Sequence, residues 1–264
     1  MNKTGEEPIL SLPERHNRIL ALLQQFGSIS VAQLAERFKV SEVTIRKDLS
    51  YLEQQKKLYR MHGSAILISP YISDRHVNEK EKRNVAEKRA IGAFAASLIA
   101  QDDSIIIASG TTVTFLAREI NPAGHLTAIT ASVPVTQILS QCPDVDVIQL
   151  GGITRSSSVS VVGPFAEQML RSFNCSKLFI GVDGIDTEFG LTTTNMLEAS
   201  LNGAMIDAAQ KVIVLADSSK FGRRGFSKIC DLESVDRIIT DSGVQSVYLD
   251  RLRERGIEVT VVDV

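Results

Sequence analysis

The sequence predicts an α/β protein in two parts: a small N-terminal module of three helices and a hairpin, then a mainly parallel α/β body. Three observations lead there. The chain has 264 residues, and domains run at roughly 100–200 residues each. Apolar residues recur at helical spacing over the first fifty positions, whereas from residue 104 short strand-like runs alternate with helical ones. Charge is uneven: residues 1–68 hold ten Lys and Arg against seven Asp and Glu, while the whole chain has a net charge of −2. A basic head on an acidic body suits a nucleic-acid module joined to a domain with another task.

Composition narrows the class. Hydrophobic content of 44% and charged content of 23% are those of an ordinary globular protein. No run approaches the roughly 18 apolar residues of a membrane helix, so no membrane association is expected. Met1 to Pro13 is polar and acidic, unlike a signal peptide. Cys142, Cys175 and Cys230 are scattered, with no CxxC pair and no His-Cys cluster. They read as reduced thiols of a cytoplasmic protein, with no structural metal.

In the N-terminal module, Ile19, Leu22, Leu23 and Phe26 define a first helix over 14–26, ended by Gly27. Ser30 caps a second helix with Val31, Leu34, Ala35 and Phe38 as its apolar set. Lys39-Val40 is a short turn, and Ser41 caps a third helix in which Ile45, Leu49 and Leu52 must face inward. Val43, Lys47 and Ser50 then point outward, flanked by Thr44, Arg46 and Tyr51. That face carries what a major-groove helix needs: cations for guanine edges or phosphates, hydroxyls for either, and methyls for thymine. Asp48 is poorly suited to meet phosphate and reads as half of an internal ion pair. Leu58–Met61 alternates like a strand, His62-Gly63-Ser64 is a turn and Ala65–Ile68 returns. Three helices and a hairpin make a winged helix-turn-helix, with Arg60 and His62 on the wing near phosphates or the minor groove. The expected partner is a double-stranded DNA operator.

These residues resemble a known signature. Ser-Glu-Val-Thr-Ile-Arg-Lys-Asp-Leu (41–49), Leu52-Glu53 and Arg60-Met61-His62-Gly63 are similar to the DNA-binding motif of DeoR-type bacterial transcriptional regulators. The chain departs from the pattern at Lys47, where a second Arg is usual, near Lys56, where Gly is usual, and at Ser64, where Gly is usual. Lys47 keeps the charge but loses the bidentate fork of Arg.

Residues 69–84 are charged and read as a linker; an amphipathic helix runs from Val85 through Ile99. Strands are expected at Ser104–Ala108, Leu126–Thr130, Val145–Leu150, Lys177–Val182, Lys211–Ala216, Arg237–Thr240 and Ile257–Val262. Helices are expected at 112–120, 134–141, 164–173, 195–209 and 244–255. The alternation implies a parallel sheet covered by helices. Such sheets bind ligands outside the carboxyl ends of their strands.

The loops there are loaded. Ser109-Gly110-Thr111-Thr112 follows a strand and opens a helix, so its hydroxyls and free N–H groups can hold a phosphate. Gly151-Gly152 is followed by Arg155, Asp183 and Asp186 sit just past a strand, Asn195 and Glu198 open a helix, and Lys220 follows another strand. Carboxylates bond sugar hydroxyls and cations offset phosphate, so a phosphorylated sugar or similar polyol is the expected ligand. Neither a dinucleotide fingerprint nor a Walker loop is present, and no cofactor is expected.

The resemblance extends over this body through Ser109–Thr112, Gly151-Gly152, Phe179–Asp186, Gly190-Leu191-Thr192 and Ala216–Phe221. It is most similar to the amino-sugar and galactitol-type regulators. It implies a fold like ribose-5-phosphate isomerase, a sugar-phosphate effector, and a homo-oligomer, dimer or tetramer, that leaves its operator when the effector binds. The sequence pattern divides the chain into three segments: a DNA-binding domain over 1–68, a linker over 69–84 and an effector domain over 85–264. Ala108 and Ala131 depart from the usual Asp and Asn. The leading expectation is therefore a transcriptional regulator with no catalytic residues, a repressor of a carbohydrate catabolic operon. The alternative is a sugar-phosphate isomerase or deaminase using Asp183, Asp186, Glu198 and Lys220 for proton transfer. Against it, Gly190–Asn195 occupies the region where those isomerases carry a Lys-Gly-Gly-Gly-like segment.

Overall fold

The computed structural model describes residues 11–26, 28–55, 57–61, 64–67 and 76–264. The chain divides into two compact units, Met1–Ser69 and Pro70–Val264.

The first unit runs α1 (Leu12–Phe26), β1 (Ser28–Ser30), α2 (Val31–Phe38), α3 (Glu42–Gln54), β2 (Leu58–Met61) and β3 (Ser64–Leu67). Ser30 caps α2 in a capping box with Gln33. Lys39, in the left-handed region at φ 53°, ends that helix, and Ser41 accepts from Thr44 N to start α3. Each cap is worth about 1 kcal/mol. The expected inward residues Ile45, Leu49 and Leu52 are buried with Ile19, Leu23, Leu34 and Leu58 in one core. β2 and β3 form the hairpin, with Ser64 inside the return strand rather than in the turn. β1 was not expected. Its three residues hold one apolar side chain, too short a pattern to read, yet they pair antiparallel with the free edge of β3. Gly27, Lys56, His62 and Gly63 lie outside the described residues.

The second unit begins earlier than the sequence suggested. Within 69–84, the stretch expected to be a linker, lies the short helix α4 (Val77–Glu81). Then come α5 (Val85–Ala96), β4 (Ser104–Ile107), α6 (Thr111–Glu119), β5 (Leu126–Thr130), α7 (Val133–Leu139) and β6 (Val145–Gln149). After them lie β7 (Ile153–Arg155), β8 (Ser160–Val162), α8 (Pro164–Leu170), β9 (Lys177–Gly181), β10 (Gly184–Asp186) and β11 (Gly190–Thr193). The chain ends with α9 (Met196–Asp207), β12 (Val212–Leu215), β13 (Ser227–Cys230), β14 (Arg237–Asp241), α10 (Ser246–Glu254) and β15 (Glu258–Val262).

All seven expected strands join one parallel sheet in the order β15-β14-β12-β9-β4-β5-β6. Alternate residues Ile105, Ile107, Phe179, Ile213, Leu215 and Ile239 pack under α5, α6 and α7. Ile106, Leu178, Ile180, Val214 and Ile238 point the other way and are equally buried, as expected for a sheet covered on both faces. The unexpected strands are antiparallel pieces of three or four residues: the β7–β8 pair and the sheet β10-β11-β13. Strand order reverses about β4: the chain runs β4, β5, β6 outward, then returns to place β9 on the other side of β4. That reversal opens a crevice at the carboxyl ends of β4 and β9, where ligands bind in open α/β sheets.

Candidate functional site

The first unit carries a candidate nucleic-acid interface on α3. Val43 is 58% exposed, and Ser41, Arg46, Lys47 and Tyr51 are exposed beside it, with Thr44 and Ser50 half-buried. Beneath that face, Asp48 is buried. It accepts from Arg15 Nε at 2.6 Å and Nη2 at 3.0 Å, and lies 3.2 Å from His16 Nε2. The hydrogen bond to Asp48 raises the Arg15 guanidinium above its ordinary pKa. His16 also stacks on Tyr51, ring centroids 5.1 Å apart. Asp48 therefore ties α3 to α1.

The cations of the face differ in their engagement. Arg46 pairs with Glu42 at 2.7 Å in exposed surroundings, a contact of small net value. Arg60, expected on the wing near phosphate, reaches back to α3: Nε donates to Glu53 at 2.8 Å and Nη1 to Ser50 Oγ at 2.6 Å. Ser50 in turn donates to the Arg46 carbonyl at 2.7 Å. Ser50 and Arg60 thus brace hairpin against helix, while Lys47 is exposed on the same face. His62 lies outside the described residues.

The second unit carries a cleft at the strand-order reversal. Ser109, Gly110, Thr111 and Thr112 after β4, Asp183 after β9, Arg155, Thr193, Glu198 and Lys220 line it, together with Val77 and Lys80 of α4. Gly110 precedes α6 at φ 131°, a conformation open to glycine and strained for other residues. No side chain caps α6, so the N–H groups of its first turn, which have no partner within a helix, are uncapped where Gly110, Thr111 and Thr112 line the cleft.

Asp183 organises one wall. Its Oδ1 accepts from Lys80 Nζ at 2.8 Å and lies 4.0 Å from Lys220 Nζ. Its Oδ2 accepts from the hydroxyls of Thr193 at 3.2 Å and Thr194 at 3.4 Å. Burial works to raise the Asp183 carboxyl, but the two ammonium groups and these bonds outweigh it and hold it below the usual carboxylate range. On the other wall Arg155 Nη1 meets Glu198 Oε1 at 2.8 Å. Three cations against two carboxylates leave the cleft net positive.

Other expected site residues lie elsewhere. Gly151 and Gly152 are exposed and outside the cleft lining; Gly151 N–H meets Met169 Sδ at 3.3 Å. Asn195 is the N-cap of α9, accepting from Leu197 N and Glu198 N. Asp186 closes β10 and holds the turn after it: it accepts from Glu188 N and Phe189 N, and from Nε and Nη2 of Arg224. Ala108 and Ala131 are buried and do not line the cleft. The sequence reading missed Val77, Lys80, Ser157, Ser158, Thr193 and Asn202. Lys80 reaches Asp183 across 103 positions of chain, and nothing local marks it among the neighbouring charges of 79–83.

Comparison with known proteins gives the same division. A family model for the DeoR-like helix-turn-helix domain matches residues 15–71, and one for the DeoR C terminal sensor domain matches residues 83–242. An uncharacterized HTH-type transcriptional regulator of Bacillus subtilis, YulB, is 39% identical over 249 residues, 94% of this chain and 96% of its own. The putative aga operon transcriptional repressor of Escherichia coli O157:H7 is 37% identical over 262 residues, 98% and 97% of the two chains. The lactose phosphotransferase system repressor of Streptococcus mutans is 36% identical over 232 residues, 86% and 91% of the two. Among solved structures, a ribose 5-phosphate isomerase A of Methanocaldococcus jannaschii aligns at a TM-score of 0.38 and 16% identity, over 52% of this chain and 55% of its own. No chemistry is carried over at that level. The matching family and relatives are regulators, which sets aside the isomerase or deaminase reading. With a DNA-binding module at one end, a sensor body at the other and relatives matching along nearly its whole length, the chain belongs to the DeoR family of transcriptional regulators.

Proposed function

We propose that this regulator represses a carbohydrate catabolic operon in the cytoplasm and leaves its double-stranded DNA operator when a phosphorylated sugar binds the cleft of its second unit. The observation that carries the reading is the net-positive cleft at the strand-order reversal. There, Lys220 and the uncapped start of α6 can take a phosphate, while Asp183 and Glu198 can bond hydroxyls. The name of the lactose phosphotransferase system repressor supports the carbohydrate link. No helix among the described residues is long and apolar enough to cross a membrane.

A homo-oligomer suits paired DNA half-sites. Its surface would lie beside α8 and α9, where Phe165, Met196 and Phe226 are exposed. Glu167, Arg171, Asp207 and Lys228 supply charge of both signs along the adjoining groove of about 680 Å³.

The test is binding of the purified protein to DNA upstream of its own gene at two salt concentrations, followed by a panel of sugar phosphates. Specific, salt-sensitive binding released by one of them is expected. A Lys220→Ala protein should keep operator binding and lose the response. A normal response from that variant would misplace the cleft as effector site.

A further inference from the structure

The cleft is too small for the ligand class it is built to hold. Its cavity of about 60 Å³ is well below the roughly 300–1,000 Å³ of ligand pockets. Something must move, and the wall formed by α4 is the one fitted to do so. α4 has five residues and none is buried, so no apolar core anchors it.

Polar contacts hold it instead. Val77 N donates to Ser157 O at 2.7 Å, Lys80 Nζ to Asp183 at 2.8 Å, and Arg118 Nη2 to Glu81 at 2.6 Å. From below, the Lys88 ammonium donates to the carbonyls of Lys80, at 2.7 Å, and Arg83. Val77, Ser157, Lys80 and Asp183 all line the cleft, so the groups that seat α4 are also groups a ligand would meet.

We infer that α4 is a lid latched over the cleft by Lys80 and Asp183, and that an anionic ligand opens it by taking the Lys80 ammonium from Asp183. The inference rests on the effector reading above and adds to it a binding residue and a moving part. A phosphate seated on Ser109–Thr112 beside Lys220 offers Lys80 a doubly charged partner in place of one carboxylate. Asp183 is then released towards the sugar hydroxyls, with Lys220 and Thr193 still on it. Asp183 and the ligand compete for the Lys80 ammonium, and ligand and closed lid compete for the same space, which is the differential affinity that any ligand-driven shift requires. Val77 follows Leu67, the last residue of β3, by ten positions. The lid is therefore the first described element after the DNA-binding module.

The experiment is hydrogen exchange of residues 77–83 in the full chain, with and without saturating phosphate probes. The probes are inorganic phosphate, glucosamine 6-phosphate, galactose 6-phosphate and glycerol 3-phosphate, each first checked for binding by calorimetry. In the native protein a bound sugar phosphate should speed exchange of the lid amides roughly tenfold. Lys80→Met should exchange fast without ligand, bind the same probe more weakly through Lys220 and the α6 start, and show no further change. Lys80→Arg should restore a ligand-dependent response. If a probe binds the native chain and leaves the lid amides unchanged, or if Lys80→Met responds as the native protein does, the lid proposal falls and the effector reading stands. If no probe binds the native chain, both fall.

Discussion

Replacing Asp48 tests how the DNA-binding module is held together. The Asp48 carboxylate is buried against Arg15 and His16, themselves almost fully buried. In Asp48→Ala the Arg15 guanidinium stays buried without its counter-charge, a loss of about 3–5 kcal/mol for one partner removed from a buried pair. At about 0.05–0.15 kcal/mol per residue, the unit Met1–Ser69 has roughly 3–10 kcal/mol in all. The module should therefore lose between about a third and all of its stability while the body stays folded. Urea titration of the full chain, read by hydrogen exchange in peptides of α1 and α3, measures this with the body as internal reference. A second variant separates brace from contact. Arg15→Met with Asp48→Leu substitutes packing for the pair and should return stability to within about 1 kcal/mol of native, since apolar replacements of buried pairs are often neutral or better. Operator affinity should return with it. An Asp48→Ala module that loses less than about 1 kcal/mol, the size of one ordinary hydrogen bond, would refute the brace. So would a stable double variant that no longer binds DNA.

Four further outcomes are expected. Lys47→Ala should lower the slope of log affinity against log salt by about 0.9, one phosphate contact, measured by fluorescence anisotropy on operator DNA; an unchanged slope would remove Lys47 from the interface. Burial pulls the Lys88 ammonium down to about 8, with Asp217 opposing, so between pH 8 and its ordinary 10.5 the folded body binds fewer protons than the unfolded chain. Stability from this group therefore rises with pH across that window, and Lys88→Met should flatten the rise in urea midpoints taken at pH 7.5 and 9.5; parallel profiles would contradict this. At Gly190, φ is +97° and an added Cβ would sit 2.2 Å from Cys230 O; Gly190→Ala should cost at least about 1–3 kcal/mol, and an unaltered thermal midpoint would count against it. Phe165→Glu should shift sedimentation towards smaller species if a second copy covers α8; an unchanged mass would move the interface elsewhere.

What could be read before the structure was what repeats locally. Ile45, Leu49 and Leu52 at helical spacing, the Ser30 and Ser41 caps and the seven apolar runs of the parallel sheet each carry their signal within a few residues, because burial of one face imposes a period. The glycine loop Ser109–Thr112 was equally visible, since a strand, a glycine and a helix start follow one another in sequence. β1, β7, β8, β10, β11 and β13 were not visible. Their three or four residues alternate too little to mark a buried face, and they became strands because a neighbouring edge offered hydrogen bonds.

Tertiary structure decided which of the loaded loops meet. It brought Asp183, Glu198, Arg155 and Lys220 to the Ser109–Thr112 loop, left Gly151 and Gly152 outside, and used Asn195 as a cap and Asp186 in a turn. It turned Arg60 back onto Glu53 and Ser50. It also placed Lys80, from a stretch that reads as linker, on an aspartate in a distant part of the sequence. Local periodicity determines secondary structure and its buried face. The pairing of a charge with its partner depends on strand order and on the Coulomb energy of groups that meet only after the sheet has formed.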